Sequence, residues 1–126
     1  MRSKEEIEAV ISEEISRFGQ DYMGRRPKEI HVHLLDDLLV IRLRGVVAAV
    51  EQHLVKSLPA EKGRDVLKQV RSHLIETSRP IMESMVEKIT GEKILTMHHD
   101  ICFKTGDEVI LFTLARSPDF CDAKMG

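Results

Sequence analysis

The chain has no tryptophan, one tyrosine and four phenylalanines among its 126 residues. It therefore has little with which to build the exposed aromatic platforms that hold single-stranded nucleic acid. Neither sign of charge dominates: 19 Lys plus Arg stand against 21 Asp plus Glu, for a formal net charge of −2. That balance excludes the strongly basic character of a dedicated nucleic-acid binder, and no nucleic-acid partner is expected. The two cysteines, Cys102 and Cys121, form no C-x-x-C pair, so neither a disulfide framework nor a zinc ribbon is implied and both are expected to be free thiols. Long apolar runs are missing too. Runs such as residues 38–41 and 109–112 fall well short of the roughly 18 residues that span a bilayer. The Ser3-Lys4-Glu5-Glu6 start does not read as a secretory leader, and a cytoplasmic chain is expected.

What is present suits one globular unit. With 42% apolar and 32% charged residues, the chain lies in the range of roughly 100 to 150 residues over which single cores form. One domain is expected over residues 1–116. The pattern breaks at Ser117-Pro118-Asp119-Phe120, and residues 117–126 read as a loose tail.

Along the chain, Ser3 and Glu6 have capping-box spacing, which starts a helix. Ile7, Val10, Ile11, Ile15 and Phe18 recur at steps of three and four, and Gly19 is placed to end that helix. Gly24, Arg25, Arg26, Pro27 and Lys28 then read as a cationic loop. From there the period becomes two. Ile30, Val32 and Leu34 alternate with Glu29, His31 and His33, and Leu39, Ile41 and Leu43 alternate with Leu38, Val40, Arg42 and Arg44. With Asp36-Asp37 as turn chemistry, residues 28–44 are predicted to form a β-hairpin.

A short helix is predicted over residues 47–58, stopped by Pro59, and a long one over residues 65–90, ending at Gly91. Val66, Leu67, Val70, Leu74, Ile81, Met85 and Ile89 define its apolar stripe, and Pro80 should kink or restart it. Residues 93–103 and 108–115 form a second predicted hairpin around Lys104-Thr105-Gly106-Asp107. The order is α-β-β-α-α-β-β, an α+β class in which two hairpins make one four-stranded antiparallel sheet under the long amphipathic helix. The second and fourth strands are apolar on both sides. One helix layer cannot bury both faces, so either the first helix crosses the other side or a second copy does, and a homodimer is expected.

Two clusters could carry chemistry. Gly24 to Lys28 has the cations and backbone freedom to hold a phosphate or carboxylate, and Arg25, Arg26, Lys28, Arg42 and Arg44 form a candidate anion site. The loop lacks phosphate-loop spacing, and a solvated linker is the competing reading. Strand alternation places His98, Asp100 and Cys102 on one face as candidate metal ligands, and hairpin pairing could add His31 and His33 to it. Against this, ligands two residues apart on one strand lie far from each other, and a bland polar face is the alternative. Arg64, Lys68, Arg71 and Arg79 read as the outer face of the long helix. No nucleophile elbow or nucleotide fingerprint occurs, so no catalytic residues and no cofactor are assigned.

A wider pattern joins these pieces. Tyr22-Met23-Gly24-Arg25-Arg26-Pro27-Lys28, the hairpin from Val32 through Asp36-Asp37 to Gly45, Val70-Arg71-Ser72-His73-Leu74 with Arg79-Pro80, Thr90-Gly91-Glu92-Lys93 leading to His99-Asp100, and Val109-Ile110-Leu111-Phe112-Thr113-Leu114 together resemble the MpsC family over residues 7–115. That bacterial family is described as the C component of a sodium-translocating, membrane-potential-generating system. The resemblance implies a role beside a membrane machine and carries over no catalytic residues. Without a spanning segment, such a chain would be a non-enzymatic accessory or regulator, bound to integral membrane subunits and peripheral at the inner membrane. The alternatives are a small-anion or nucleotide-responsive binding module using the basic loop and strand arginines, and a metal-dependent enzyme built on His98 and Asp100.

Overall fold

The computed structural model describes residues 3–23, 26–45, 60–102 and 105–118. They form helix α1 (Lys4–Met23), strands β1 (Glu29–Leu35) and β2 (Leu38–Arg44), helix α2 (Ala60–Thr90), and strands β3 (Ile94–Cys102) and β4 (Asp107–Leu114). This is the α+β order expected; the short helix predicted over residues 47–58 lies outside the described residues, as do residues 119–126 of the tail.

Ser3 starts α1 as its spacing predicts. Its Oγ accepts from the Glu6 N–H at 3.2 Å, satisfying a backbone donor that the first turn leaves free. Gly19 does not end the helix. It is buried inside it, and α1 runs four residues further to Met23. A glycine within a helix costs about 1 kcal/mol relative to alanine, and here its missing side chain leaves room beside Phe18 and Pro27.

Helix α2 is one element of 31 residues with Pro80 inside it, so the proline does not restart it. Two residues earlier, the buried Ser78 hydroxyl donates back to the carbonyls of Leu74 and Ile75. Gly91 adopts φ 77° and its N–H donates to the Glu87 carbonyl, the left-handed cap expected at that position. The core side of α2 differs from the predicted stripe. Leu67, Ile75, Met82 and Val86 are buried, whereas Val66, Val70, Leu74 and Ile81 are exposed. The apolar arc of the helix is wider than the sheet beneath it can cover.

The sheet order is β1-β2-β4-β3, all antiparallel. Each hairpin therefore presents its second strand to the other, and β1 and β3 form the edges. Side-chain alternation divides the sheet into two faces. Leu34, Leu39, Ile41, Leu43, Met97, Ile101, Ile110, Phe112 and Leu114 lie on one, packed in a single core with Ile7, Ile11, Ile15 and Phe18 of α1 and Ile75, Met82 and Val86 of α2. Both helices cover this same face, so α1 does not cross to the other side. Helix side chains also cap strand backbones: Glu8 accepts from the Leu34 N–H at 2.8 Å and Glu87 from the Ile94 N–H at 3.0 Å.

Candidate functional site

Strand register assigns the residues of the opposite, open face. His31 faces Arg42, which faces Val109, which faces Asp100; one step along, His33, Val40, Leu111 and His98 form the next row. No described element covers these side chains. The result is a face with Val40, Leu111 and Val109 at its centre, half-buried by their neighbours within the sheet, and polar groups around them.

At one end the charges form a connected network. The Arg42 guanidinium donates to Asp107 Oδ2 at 3.0 Å, and Arg44 Nε lies 3.6 Å from Asp107 Oδ1. Arg44 also lies 3.8 Å from Glu29, whose carboxylate is 3.3 Å from His31 Nε2. Asp107, the least exposed member, thus sits between two guanidinium groups. An anion bridging Arg42 and Arg44 would compete with that carboxylate. The remaining candidate anion ligands lie elsewhere. Arg26 donates to Ser16 Oγ on α1 at 2.7 Å, and the Lys28 stem lies over Gly45, where an added Cβ would come within 2.6 to 2.8 Å of its carbons. Arg25 lies outside the described residues. The structure brings Arg42 and Arg44 together, and not with Arg26.

The candidate metal ligands His98, Asp100 and Cys102 do share the open face, as alternation predicts. Successive members start about 6.6 to 6.8 Å apart along the strand. Asp100 is 3.5 Å from Lys68 of α2. His31 and His33 lie on the same face but at the opposite edge, about 14 Å away across three strand spacings. Among the described residues, no group of three or more His, Cys, Asp or Glu side chains could hold a metal ion.

The chemistry that sequence reading missed is on the covered side. Arg71, read as outer surface, is buried at 8% exposure, and Glu108 is buried at 3%. Both line a cavity of about 30 Å³ with Ile15, Phe18, Leu43 and Ile75, space for a single water. The signals were present: Arg71 stands four residues from both Leu67 and Ile75, and Glu108 is in phase with Ile110 and Phe112. Beside β3, His99 is close to Glu76 at 3.1 Å, and Arg79 donates to Glu83 at 3.2 Å while lying 3.5 Å from Glu76. The hydrogen bond with His99, helped by the Arg79 charge, holds the Glu76 carboxyl below its ordinary value, against a smaller opposing effect of burial. The hydrogen bond to Glu83 raises Arg79.

No described helix is long and apolar enough to cross a membrane. Residues 3–116 match the family described as "Na+-translocating membrane potential-generating system (MpsC)". The chain is similar to the uncharacterized protein YbcI of Bacillus subtilis, 33% identical over 113 residues, covering 90% of this chain and 89% of that protein. It is also similar to the uncharacterized protein YrhF of the same organism, 26% identical over 107 residues, covering 83% and 84%. No solved structure matches. With a family match over residues 3–116 and a relative 33% identical over 90% of the chain, the chain belongs to the MpsC family.

Proposed function

We propose that the chain is a non-enzymatic accessory or regulatory component of a Na+-translocating membrane system, acting as a homodimer bound to integral subunits at the cytoplasmic side of the inner membrane. The observation that carries this reading is the family match over residues 3–116, taken with described helices that do not span a bilayer. A protein of this shape influences ion movement by binding a subunit that spans. Its own part is a differential affinity for that subunit's states, since a binding partner shifts an equilibrium only by preferring one state over another. The ion pairs on the open face suit such a role: the arginines are held in place by Asp107 and Glu29, and fixed charges set the register of a docking surface. The exposed apolar residues of α2 support the dimeric part.

The test is affinity purification of the tagged chain from detergent-solubilised native membranes. The expected result is co-purification with integral membrane subunits and loss of that association when the membranes are washed in high salt before solubilisation. Recovery of the chain from cells with no integral membrane protein overturns the proposal.

A further inference from the structure

Helix α2 has more apolar surface than the core uses. Val66, Val70, Leu74 and Ile81 are 46%, 51%, 40% and 47% exposed, and Met85 and Ile89 are only partly buried against the core. Successive members are four or seven residues apart, so the six lie along one side of the helix, on an arc adjoining the buried stripe. Their positions are also symmetric. Val66 and Ile89, Val70 and Met85, and Leu74 and Ile81 are each equidistant from the point midway between Thr77 and Ser78.

Met85 and Ile89 also pack on the core, but a twofold axis accounts for the mirrored positions of all six. In an isologous interface the same patch meets itself, so residue i touches j and j touches i. Laid antiparallel across a second copy, with the axis beside Thr77, α2 sets Leu74 of each chain against Ile81 of the other, Val70 against Met85 and Val66 against Ile89. Shape agrees with this placement. The C-terminal half of α2 and helix α1 form an open groove of Val10, Pro80, Ile81, Met85 and Ile89 with one acid and one base, Glu14 and Lys88, which would receive the N-terminal half from the other copy.

Charge agrees as well. Helix α1 carries six acidic and two basic residues, and residues 75–90 carry three acidic and two basic. Residues 60–74 carry four basic and two acidic. With Arg71 buried in its own chain, three basic and two acidic are left, and antiparallel pairing lays this half of each α2 beside the net-negative α1 of its mate, at both ends of the interface. It also brings each helix N-terminus near a C-terminus, which the helix dipoles favour.

We infer that α2 is the homodimer interface, paired antiparallel over residues 66–89, a contact about 36 Å long. This rests on the dimeric part of the proposed function and is independent of its membrane part. It leaves the open sheet face, with its ion-pair network, outside the dimer.

The test uses the full chain with Cys102→Ser and Cys121→Ser as background, by sedimentation and disulfide trapping. The expected species has twice the 14.4 kDa chain mass. Thr77→Cys, beside the axis, should cross-link under mild oxidation. Val66→Cys alone should not, because its two copies lie about 35 Å apart, whereas Val66→Cys combined with Ile89→Cys should. Leu74→Glu and Ile81→Arg should each weaken association by about tenfold or more, and both in one chain should restore it, since each new carboxylate meets a new guanidinium. A wild-type monomer of 14.4 kDa overturns both the interface and the dimeric reading. A dimer that Leu74→Glu leaves intact, or that Val66→Cys alone traps, overturns this interface while the dimeric reading stands.

Discussion

On the covered face of the sheet, Leu39, Ile41, Phe112 and Leu114 are completely buried beneath α1 and α2, while on the open face the same two strands present Val40, Val109 and Leu111 half-buried beside an exposed Arg42. The side chains differ little in type: both faces of β2 and β4 contain branched aliphatic residues. What differs is the layer above them. Among the described residues, the open-face side chains are sheltered by neighbours in the sheet, and the acids and bases at its margin neutralise one another at Asp107 and Glu29. Apolar content on both sides of a strand therefore reports how central the strand is, and not how many layers cover it.

The largest expected difference between the two faces is that between truncations of two adjacent residues of β4. Phe112→Ala opens a cavity in the covered core and should cost about 3 to 5 kcal/mol. Leu111→Ala, one residue away and on the other face, should cost about 1 kcal/mol. Urea denaturation of both variants measures the difference, and equal losses would mean that the open face is covered in solution.

Next in size is the charge inside the covered side. Glu108→Ala removes a side chain that is 3% exposed from the wall of the cavity that Arg71 also lines. The expected cost is about 2 to 3 kcal/mol, from the cavity left and the loss of a buried polar side chain's hydrogen bonding. Arg71→Met with Glu108→Leu should recover much of it, because apolar replacements of similar volume carry no unmet charge. A Glu108→Ala variant as stable as the parent in urea would show that this buried side chain adds nothing to the stability of the folded chain.

Much of this fold is legible from local pattern. Period-two alternation located all four strands within a residue or so, Ser3 and Gly91 marked helix ends, and both hairpin turns lay where Asp36-Asp37 and Gly106 require them; Asp36 itself takes φ 56° and Gly106 φ 77°. What is not local was less visible. Alternation places His31, His33 and His98 on one face but is silent on strand order, and the order β1-β2-β4-β3 separates them to opposite edges. For α2, periodicity cannot say which part of a wide apolar arc meets the sheet. Leu74 and Ile81 therefore looked like core, and Arg71 looked like surface because its charge outweighed its phase. The ion-pair network joins Glu29 and Arg44 to Asp107, more than sixty residues away, and only the β2–β4 pairing brings them together.

On the open face the expected effects are smaller. Asp107→Ala removes the carboxylate held between Arg42 and Arg44, pairs that are partly solvated, so the stability cost should be about 1 kcal/mol or less. The informative change is in binding. With the internal carboxylate gone, the two guanidinium groups form a fork open to solvent, and calorimetric titration with inorganic phosphate should give heat that the parent chain does not. Equal heat from both would mean that anions reach these arginines past Asp107, and would favour a binding role for the face.

The smallest effect belongs to the strut between α2 and β3, where Glu76 meets His99 at the margin of the covered face. Because the hydrogen bond with His99 and the Arg79 charge lower the Glu76 pKa from its ordinary value of 4.5, the unfolded chain binds a proton there more readily than the folded one. The stabilisation is then complete above the ordinary value and is lost as pH falls through the lower folded value. Glu76→Gln carries no titrating carboxyl, so the difference in urea midpoint between parent and variant should be constant from pH 5.5 to about 5 and shrink steadily below about 4.5. Solvent around Glu76 keeps that difference modest. A difference that stays flat down to the acid limit would mean that the His99 contact does not persist in solution.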